Sequence, residues 1–204
     1  GNESTTDPPA PKPTTLADFK IGYLFEHDFC PISAAVKARL EDALEAARRA
    51  GATVTKLDDL PGGFEASYET YDRLLNGLVG ASIPDKLYNK ARRGAKFMGL
   101  VGKNDMGTVG GFAERATASH RDWAKADEAR HKLRAKWHSL FADYDVLLLP
   151  SVCVPAIAHD HGGNVLSRKI DVDGNSHGYT NLFRWIAPAT VAGLPATSAP
   201  VGLT

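Results

Sequence analysis

The fold is decided by residues 20–57, which open with the apolar run KIGYLF at positions 20–25. A short run that is almost continuously apolar is typical of a strand covered on both faces in a parallel sheet. The run TVTKL at positions 53–57 alternates and is rich in β-branched residues, which predicts a second strand. With the helix predicted between them, the two strands form a strand–helix–strand unit whose crossover should be right-handed.

The helix between these strands carries both start and stop signals. Ser33 is a predicted N-cap, and Arg48 and Arg49 occupy the last turn before Gly51. One face of the helix is apolar, because its members lie three or four residues apart along the chain. These members are Val36, Leu40, Ala43, Leu44 and Ala47.

Two further helices are predicted before the middle of the chain. Aromatic and leucine residues at helical spacing mark the first, which starts near Phe64 and fades at Gly77 and Gly80. The second covers residues 88–97. The six glycines between positions 94 and 111 predict loops or chain reversals there.

The second half of the chain continues the alternation of helices and strands. A long amphipathic helix over residues 119–142 leads into the buried strand DVLLL at positions 145–149. A long polar loop to about residue 179 follows, then a partly helical stretch over 181–193 and a closing strand over 196–201. This order predicts the α/β class, with a mostly parallel or mixed sheet in three layers and helices on both faces.

Composition and charge exclude several classes of protein. The chain has 204 residues, of which 43% are hydrophobic and 24% charged, as expected of one folded domain over residues 16–204. Lys plus Arg and Asp plus Glu each number 24, so no net field attracts nucleic acid or an anionic membrane. No apolar run approaches the roughly 18 residues of a membrane span. Only two cysteines are present, which fits a reducing compartment, and we expect a cytoplasmic protein.

Both ends of the sequence suggest a segment of a longer protein. Residues 1–15 are polar and contain four prolines, so we expect a disordered, proline-rich linker. The chain starts with Gly1 rather than methionine, and it stops at Thr204, just after the predicted closing strand.

Three kinds of site can be weighed from motifs. The tract His159-Asp160-His161 resembles a metal cluster in residue type, but its spacing does not bring ligands together on one element, so we expect no metal. Serine and lysine lie four residues apart at Ser33 and Lys37, but no glycine-rich oxyanion loop accompanies them. The pairs Gly62-Gly63, Gly110-Gly111 and Gly162-Gly163 lack the rest of a phosphate loop, so they predict turns and no cofactor.

Candidate substrate-binding residues follow from their position in the predicted topology. Cys30 and Cys153 each come after the carboxyl end of a predicted strand, where ligands of open α/β sheets usually bind. The long loop reaches the same edge. The predicted substrate-binding set is Cys30, Ser151, Cys153, Tyr179, Thr180 and Asn181.

Three stretches, taken in order, resemble the amidase signature family of C–N hydrolases. LADFKIGY at 16–23, with the helix end AGATV at 50–54, is similar to the strand and helix that follow the catalytic core in that family. LFADYDVLLLP at 140–150 resembles its aspartate, strand and proline passage. YTNLF at 179–183 and AGLPATSAPVG at 192–202 resemble its asparagine, Gly-Leu-Pro and Pro-Val-Gly ending.

The resemblance implies a mixed sheet wrapped by helices and a serine hydrolase that uses two serines and a lysine. In the family, the lysine is the base, a serine held by a cis peptide relays the proton, and the second serine attacks the amide carbonyl. The oxyanion is bound by a Gly-Gly-Ser-Ser-Gly type loop. No such run occurs between positions 1 and 204, so no catalytic residue is assigned and the chain is predicted to be inactive alone.

Two hypotheses therefore stand. The first is the C-terminal portion of an amidase, which supplies sheet scaffold and part of the substrate pocket while the catalytic part lies upstream. The alternative is a non-catalytic module derived from an amidase that binds a small molecule or a partner. In either case we expect a small amide or carboxylate ligand, and self-association or pairing with the missing catalytic half, with no nucleic acid and no membrane.

Overall fold

The computed structural model describes residues 15–102, 105–163 and 165–203. The predicted linker at 1–15 lies outside the described residues except for Thr15, so its disorder and the single-domain organisation of residues 16–204 stay predictions. Among the described residues, no helix is both long and apolar enough to cross a membrane.

A three-stranded parallel sheet is formed by two strands from the start of the chain and one strand from its second half. Its strands and the helix that joins the first two are β1 (Lys20–Tyr23), α1 (Ala34–Arg49), β2 (Thr53–Lys56) and β3 (Val146–Leu148). The strand order is β2-β1-β3, so β1 is central. Ile21 is paired with Val54 on one side and with Val146 on the other. The α/β class and the parallel sheet are confirmed.

The predicted capping of α1 is confirmed as well. The Ser33 hydroxyl accepts a hydrogen bond from the Val36 amide at 3.4 Å, which satisfies one of the free N–H groups of the first turn. Arg48 and Arg49 occupy the last turn, where positive charge is favourable.

A cluster of helices packs beside the sheet and forms most of the core. The helices are α2 (Phe64–Ala81), α3 (Asp85–Leu100), α4 (Val109–Ala116), α5 (His120–Asp143) and α6 (Ala187–Ala192). Helix α2 is the centre of this cluster, because α4, α5 and α6 all pack against it. The largest side chains in the core are Trp137, Trp185 and Phe64, each at most 1% exposed.

The turns predicted from glycine content are confirmed in part, because Gly102 and Gly107 lie in turns with positive φ between α3 and α4, whereas other glycines lie inside helices. Helix α2 continues through Gly77 and Gly80, and the predicted turn at Gly110-Gly111 lies inside α4. The reason is close packing. A Cβ atom on Gly80 would lie 1.8 Å from the Ala116 carbonyl oxygen, so glycine is needed there to let α2 approach the end of α4.

The predicted polar loop between β3 and residue 179 contains an antiparallel hairpin. Its strands are β4 (Lys169–Val172) and β5 (Asn175–Gly178). The two turn residues, Asp173 and Gly174, both have positive φ, at 51° and 83°. Asp-Gly is the sequence that favours such a two-residue turn, and this signal was present in the sequence but missed.

The predicted closing strand over residues 196–201 was wrong. These residues are exposed and form no strand, and none of the strands in the described part of the chain is paired with them. Their extended, apolar sequence is suited to a strand, but a strand is stabilised by its neighbour in a sheet. A 3₁₀ helix over Tyr179–Phe183 connects β5 to the helical cluster.

Candidate functional site

A groove of about 890 Å³ opens between α2, α3 and α4. Its volume falls within the range of pockets that hold small molecules. Apolar side chains dominate its walls, among them Leu75, Ile83, Leu87, Met98, Phe112 and Phe183. The groove therefore offers an apolar cradle of the size of a small organic ligand.

Helix α3 forms one wall of the groove with a face that carries apolar or small residues. Leu87, Ala91, Gly94 and Met98 follow each other at intervals of four, three and four residues, which aligns them on one helix face. Gly94 has no atom within 4 Å of the position that a Cβ would take, so this stretch of the wall is open. Leu87 remains 56% exposed, and a ligand in the groove would cover part of that surface.

A buried ion pair joins Asp72 on α2 to Arg115 on α4 beside the groove. Arg115 Nε lies 2.7 Å from Asp72 Oδ2, and both side chains are largely buried. The Asn76 side-chain amide donates to Asp72 at 2.7 Å, and Arg115 donates to the Gly111 carbonyl at 3.1 Å. Burial raises the pKa of Asp72 above its ordinary value, and the nearby Arg115 charge opposes that rise.

This pairing neutralises the charge that Asp72 brings to the groove. Asp72 is among the lining residues, but its charge is matched by Arg115 and is not offered to a ligand. Lys90 also lines the groove and is exposed to solvent. An uncharged ligand suits such walls, because a buried charge without a partner is costly.

Tyr68 provides a buried hydroxyl where the groove meets the core. The side chain is 3% exposed, and burial raises its pKa to about 12. The Arg184 guanidinium lies 4.1 Å from the centre of the Phe29 ring and 5.6 Å from that of Tyr68, at cation–π distances. The phenol therefore stays neutral near pH 7, and its ring is held in place by Arg184.

A model of the family described as Amidase matches residues 2–204, nearly the whole chain. The chain belongs to the amidase signature family. The sequence resemblance is thereby confirmed. A search of curated proteins found no match.

Solved structures of amidase signature enzymes share this fold. A bacterial aryl acylamidase of the family superposes with a TM-score of 0.57 and 18% identity, over 91% of this chain and 37% of its own. A glutamyl-tRNA(Gln) amidotransferase subunit from Thermotoga maritima superposes with a TM-score of 0.55 and 20% identity, over 92% of this chain and 37% of its own. The chain thus spans 37% of the length of each.

The structure places the predicted substrate-binding residues in separate surroundings. Thr180 lines the groove. Cys30 and Cys153 are both fully buried, and the Cys30 sulfur lies 3.9 Å from the Asn181 carbonyl oxygen. Tyr179 lines a second pocket, and Ser151 is exposed outside the linings of both pockets. Their role in substrate binding stays a prediction.

The second pocket is smaller and polar. It measures about 240 Å³ and includes the tract His159-Asp160-His161 together with Arg168 and Tyr179. Arg168 Nε lies 3.6 Å from Asp160 Oδ2 and donates to the Gly162 carbonyl at 3.1 Å. Across residues 15–102, 105–163 and 165–203, no three His, Cys, Asp or Glu side chains converge on a metal position.

The sequence analysis did not predict the groove residues on α2, α3 and α4. One signal was available. The stripe from Leu87 to Met98 has the spacing of an amphipathic helix face, yet the glycines that follow it favour loops by composition. The remaining contacts join helices distant in sequence, and no local pattern shows that α4 packs across α2 and α3.

Proposed function

We propose that this chain is part of an amide hydrolase, in which it supplies sheet scaffold and one wall of the substrate pocket. The reaction of the whole enzyme is the hydrolysis of a carboxylic amide C–N bond, as family membership suggests. The observation that carries the proposal is the apolar groove between α2, α3 and α4. We further propose a cytoplasmic location, which the two unpaired cysteines support.

The groove favours a substrate with an apolar acyl or aryl group and no charge. Its lining removes apolar surface from water, and each methylene that becomes fully buried contributes about 0.8 kcal/mol of binding free energy. The Asp72–Arg115 pair leaves no unmatched buried charge to attract an ionic group. One structural relative is an aryl acylamidase, which agrees with an apolar substrate.

The catalytic step is assigned to a different part of the enzyme. The chain contains no Gly-Gly-Ser-Ser-Gly run, the loop that the family uses for its nucleophile and oxyanion hole. Among the described residues, several large apolar side chains are strongly exposed, including Phe97 at 65%, Leu100 at 87% and Leu203 at 95%. We propose that such surface packs against the catalytic portion.

If this chain binds substrate and another part of the enzyme carries the nucleophile, the purified chain should bind an amide without hydrolysing it. We expect the purified chain to release no ammonia from octanamide and to form no adduct with a fluorophosphonate probe, because its sequence contains no Gly-Gly-Ser-Ser-Gly run to supply the nucleophile. The measurement is the ammonia assay together with intact mass after labelling. Stoichiometric labelling of a single serine would contradict the proposal and identify a nucleophile within these 204 residues.

A further inference from the structure

The two cysteines of the chain are brought together by neighbouring strands. Strands β1 and β3 are adjacent and parallel, and the Leu24 amide extends their pairing by donating to the Leu148 carbonyl at 3.2 Å. Beyond β1, the chain turns sharply where the Cys30 amide donates to the His27 carbonyl at 3.0 Å. The loop after β3 reaches the same place, so both cysteines lie at the carboxyl edge of the sheet.

A backbone hydrogen bond fixes the two loops to each other. The Ser33 amide donates to the Cys153 carbonyl at 2.8 Å. Both thiols are fully buried, and each side chain is close enough to the other to be the largest influence on its pKa. The cysteines are unpaired, so the structure holds them as a buried dithiol.

The two thiols differ in acidity. The hydrogen bond from Cys30 lowers the pKa of Cys153, with burial opposing it and Arg184 assisting it. The same contact, together with burial, raises the pKa of Cys30. These directions favour Cys153 over Cys30 as the thiol that ionises.

We propose that Cys30 and Cys153 form a reversible disulfide that ties the loop after β1 to the loop after β3. The oxidant is a peroxide. The Cys153 thiolate attacks one oxygen of hydrogen peroxide, the O–O bond breaks, and the sulfenic acid and a hydroxide are formed. The hydroxide takes up the proton that the Cys153 thiol released on ionisation and becomes the first water. The Cys30 sulfur then attacks the Cys153 sulfur, and the displaced hydroxide leaves as a second water with the Cys30 proton.

The overall reaction balances in electrons and protons. Two thiols lose two electrons and two protons, and hydrogen peroxide is reduced to two waters. A small-molecule thiol reverses the bond by exchange. The proposal uses neither the groove nor amide hydrolysis, so it stands or fails independently of the proposed function.

The disulfide should stabilise the fold strongly. It would close a loop from residue 30 to residue 153, which contains α1 to α5 and β2 to β3. Long closed loops restrict the unfolded chain most, and for a chain of this size the expected rise in melting temperature is about 10 °C. Restoration of the original melting temperature by dithiothreitol would show that the bond is reversible.

The test exposes the purified wild-type chain to hydrogen peroxide and measures its intact mass. We expect a loss of two hydrogen atoms, one peptide pair joining Cys30 to Cys153, and the rise in melting temperature. Cys30→Ser should instead give a sulfenic acid on Cys153 that dimedone traps, while Cys153→Ser should give no adduct on Cys30. If both wild-type thiols still react with iodoacetamide after peroxide treatment and denaturation, the proposal is overturned, and this measurement requires no variant to fold.

Discussion

Replacing Gly80 with alanine is expected to lower the free energy of unfolding by about 3 kcal/mol, the upper part of the range for overpacked sites. The added Cβ would lie 1.8 Å from the Ala116 carbonyl oxygen and 2.7 Å from its carbonyl carbon. Both atoms belong to the backbone, so no side-chain rotation relieves the clash. Helices α2 and α4 must move apart, which also deforms the groove between them.

Gly94→Ala is the matched control for this substitution. Gly94 also lies within a helix and has no atom within 4 Å of the new Cβ. Alanine there should raise the free energy of unfolding by roughly 0.5–1 kcal/mol, because alanine favours a helix over glycine. Urea unfolding followed by circular dichroism measures both. Equal effects of the two substitutions would show that α2 and α4 do not pack as described.

The buried ion pair should respond differently to the loss of each partner. Asp72→Asn leaves the Arg115 guanidinium buried and charged, since arginine does not lose its proton in proteins. We expect a cost of about 3–5 kcal/mol, as for other buried pairs broken from one side. Arg115→Met leaves Asp72, which can take up a proton, so the cost at pH 7 should fall as the pH is lowered.

The sign of this pH dependence follows from the pKa of Asp72. Burial raises that pKa in the folded state, so the folded protein binds more protons than the unfolded chain between the two values. Stability that depends on Asp72 is complete below the unfolded pKa and is lost as the pH rises through the folded pKa. Removal of the Arg115 charge should raise the folded pKa further and enlarge the effect.

Urea unfolding at pH 7 and pH 5 compares Asp72→Asn, Arg115→Met and wild type. Arg115→Met should recover part of its lost stability at pH 5, whereas Asp72→Asn should not, since it has no carboxyl group at this position. The doubly substituted Asp72→Leu, Arg115→Met protein should lose less than the worse single variant, because neither charge is then left unpaired. Identical pH profiles for both single variants would contradict the assigned pairing.

The first strand–helix–strand unit was predictable because its signals are local. The Ser33 cap, the arginines of the last turn of α1 and the apolar run of β1 each depend on neighbours within a few residues. The Asp173-Gly174 turn was equally local, and the hairpin that it makes could have been found.

The site and several helix ends could not be predicted in the same way. Gly80 and Gly111 indicate turns by composition, yet they lie in helices because backbone from another segment packs against them. The Asp72–Arg115 pair joins residues 43 positions apart, which no local pattern shows. Residues 196–201 have strand-like sequence, but only a neighbouring strand could stabilise that conformation.

The central claim is that the groove between α2, α3 and α4 binds the apolar part of an uncharged amide. Its most direct test is calorimetric titration of the chain with octanamide and with acetamide. Each fully buried methylene contributes about 0.8 kcal/mol of binding free energy. Even if its extra methylenes are only half buried, octanamide should therefore bind on the order of 50-fold more tightly than acetamide. Ala91→Trp, which fills the groove wall, should abolish the difference, and Ala135→Trp on the exposed face of α5 should retain it. Equal affinities of the wild-type chain for both amides would contradict the account.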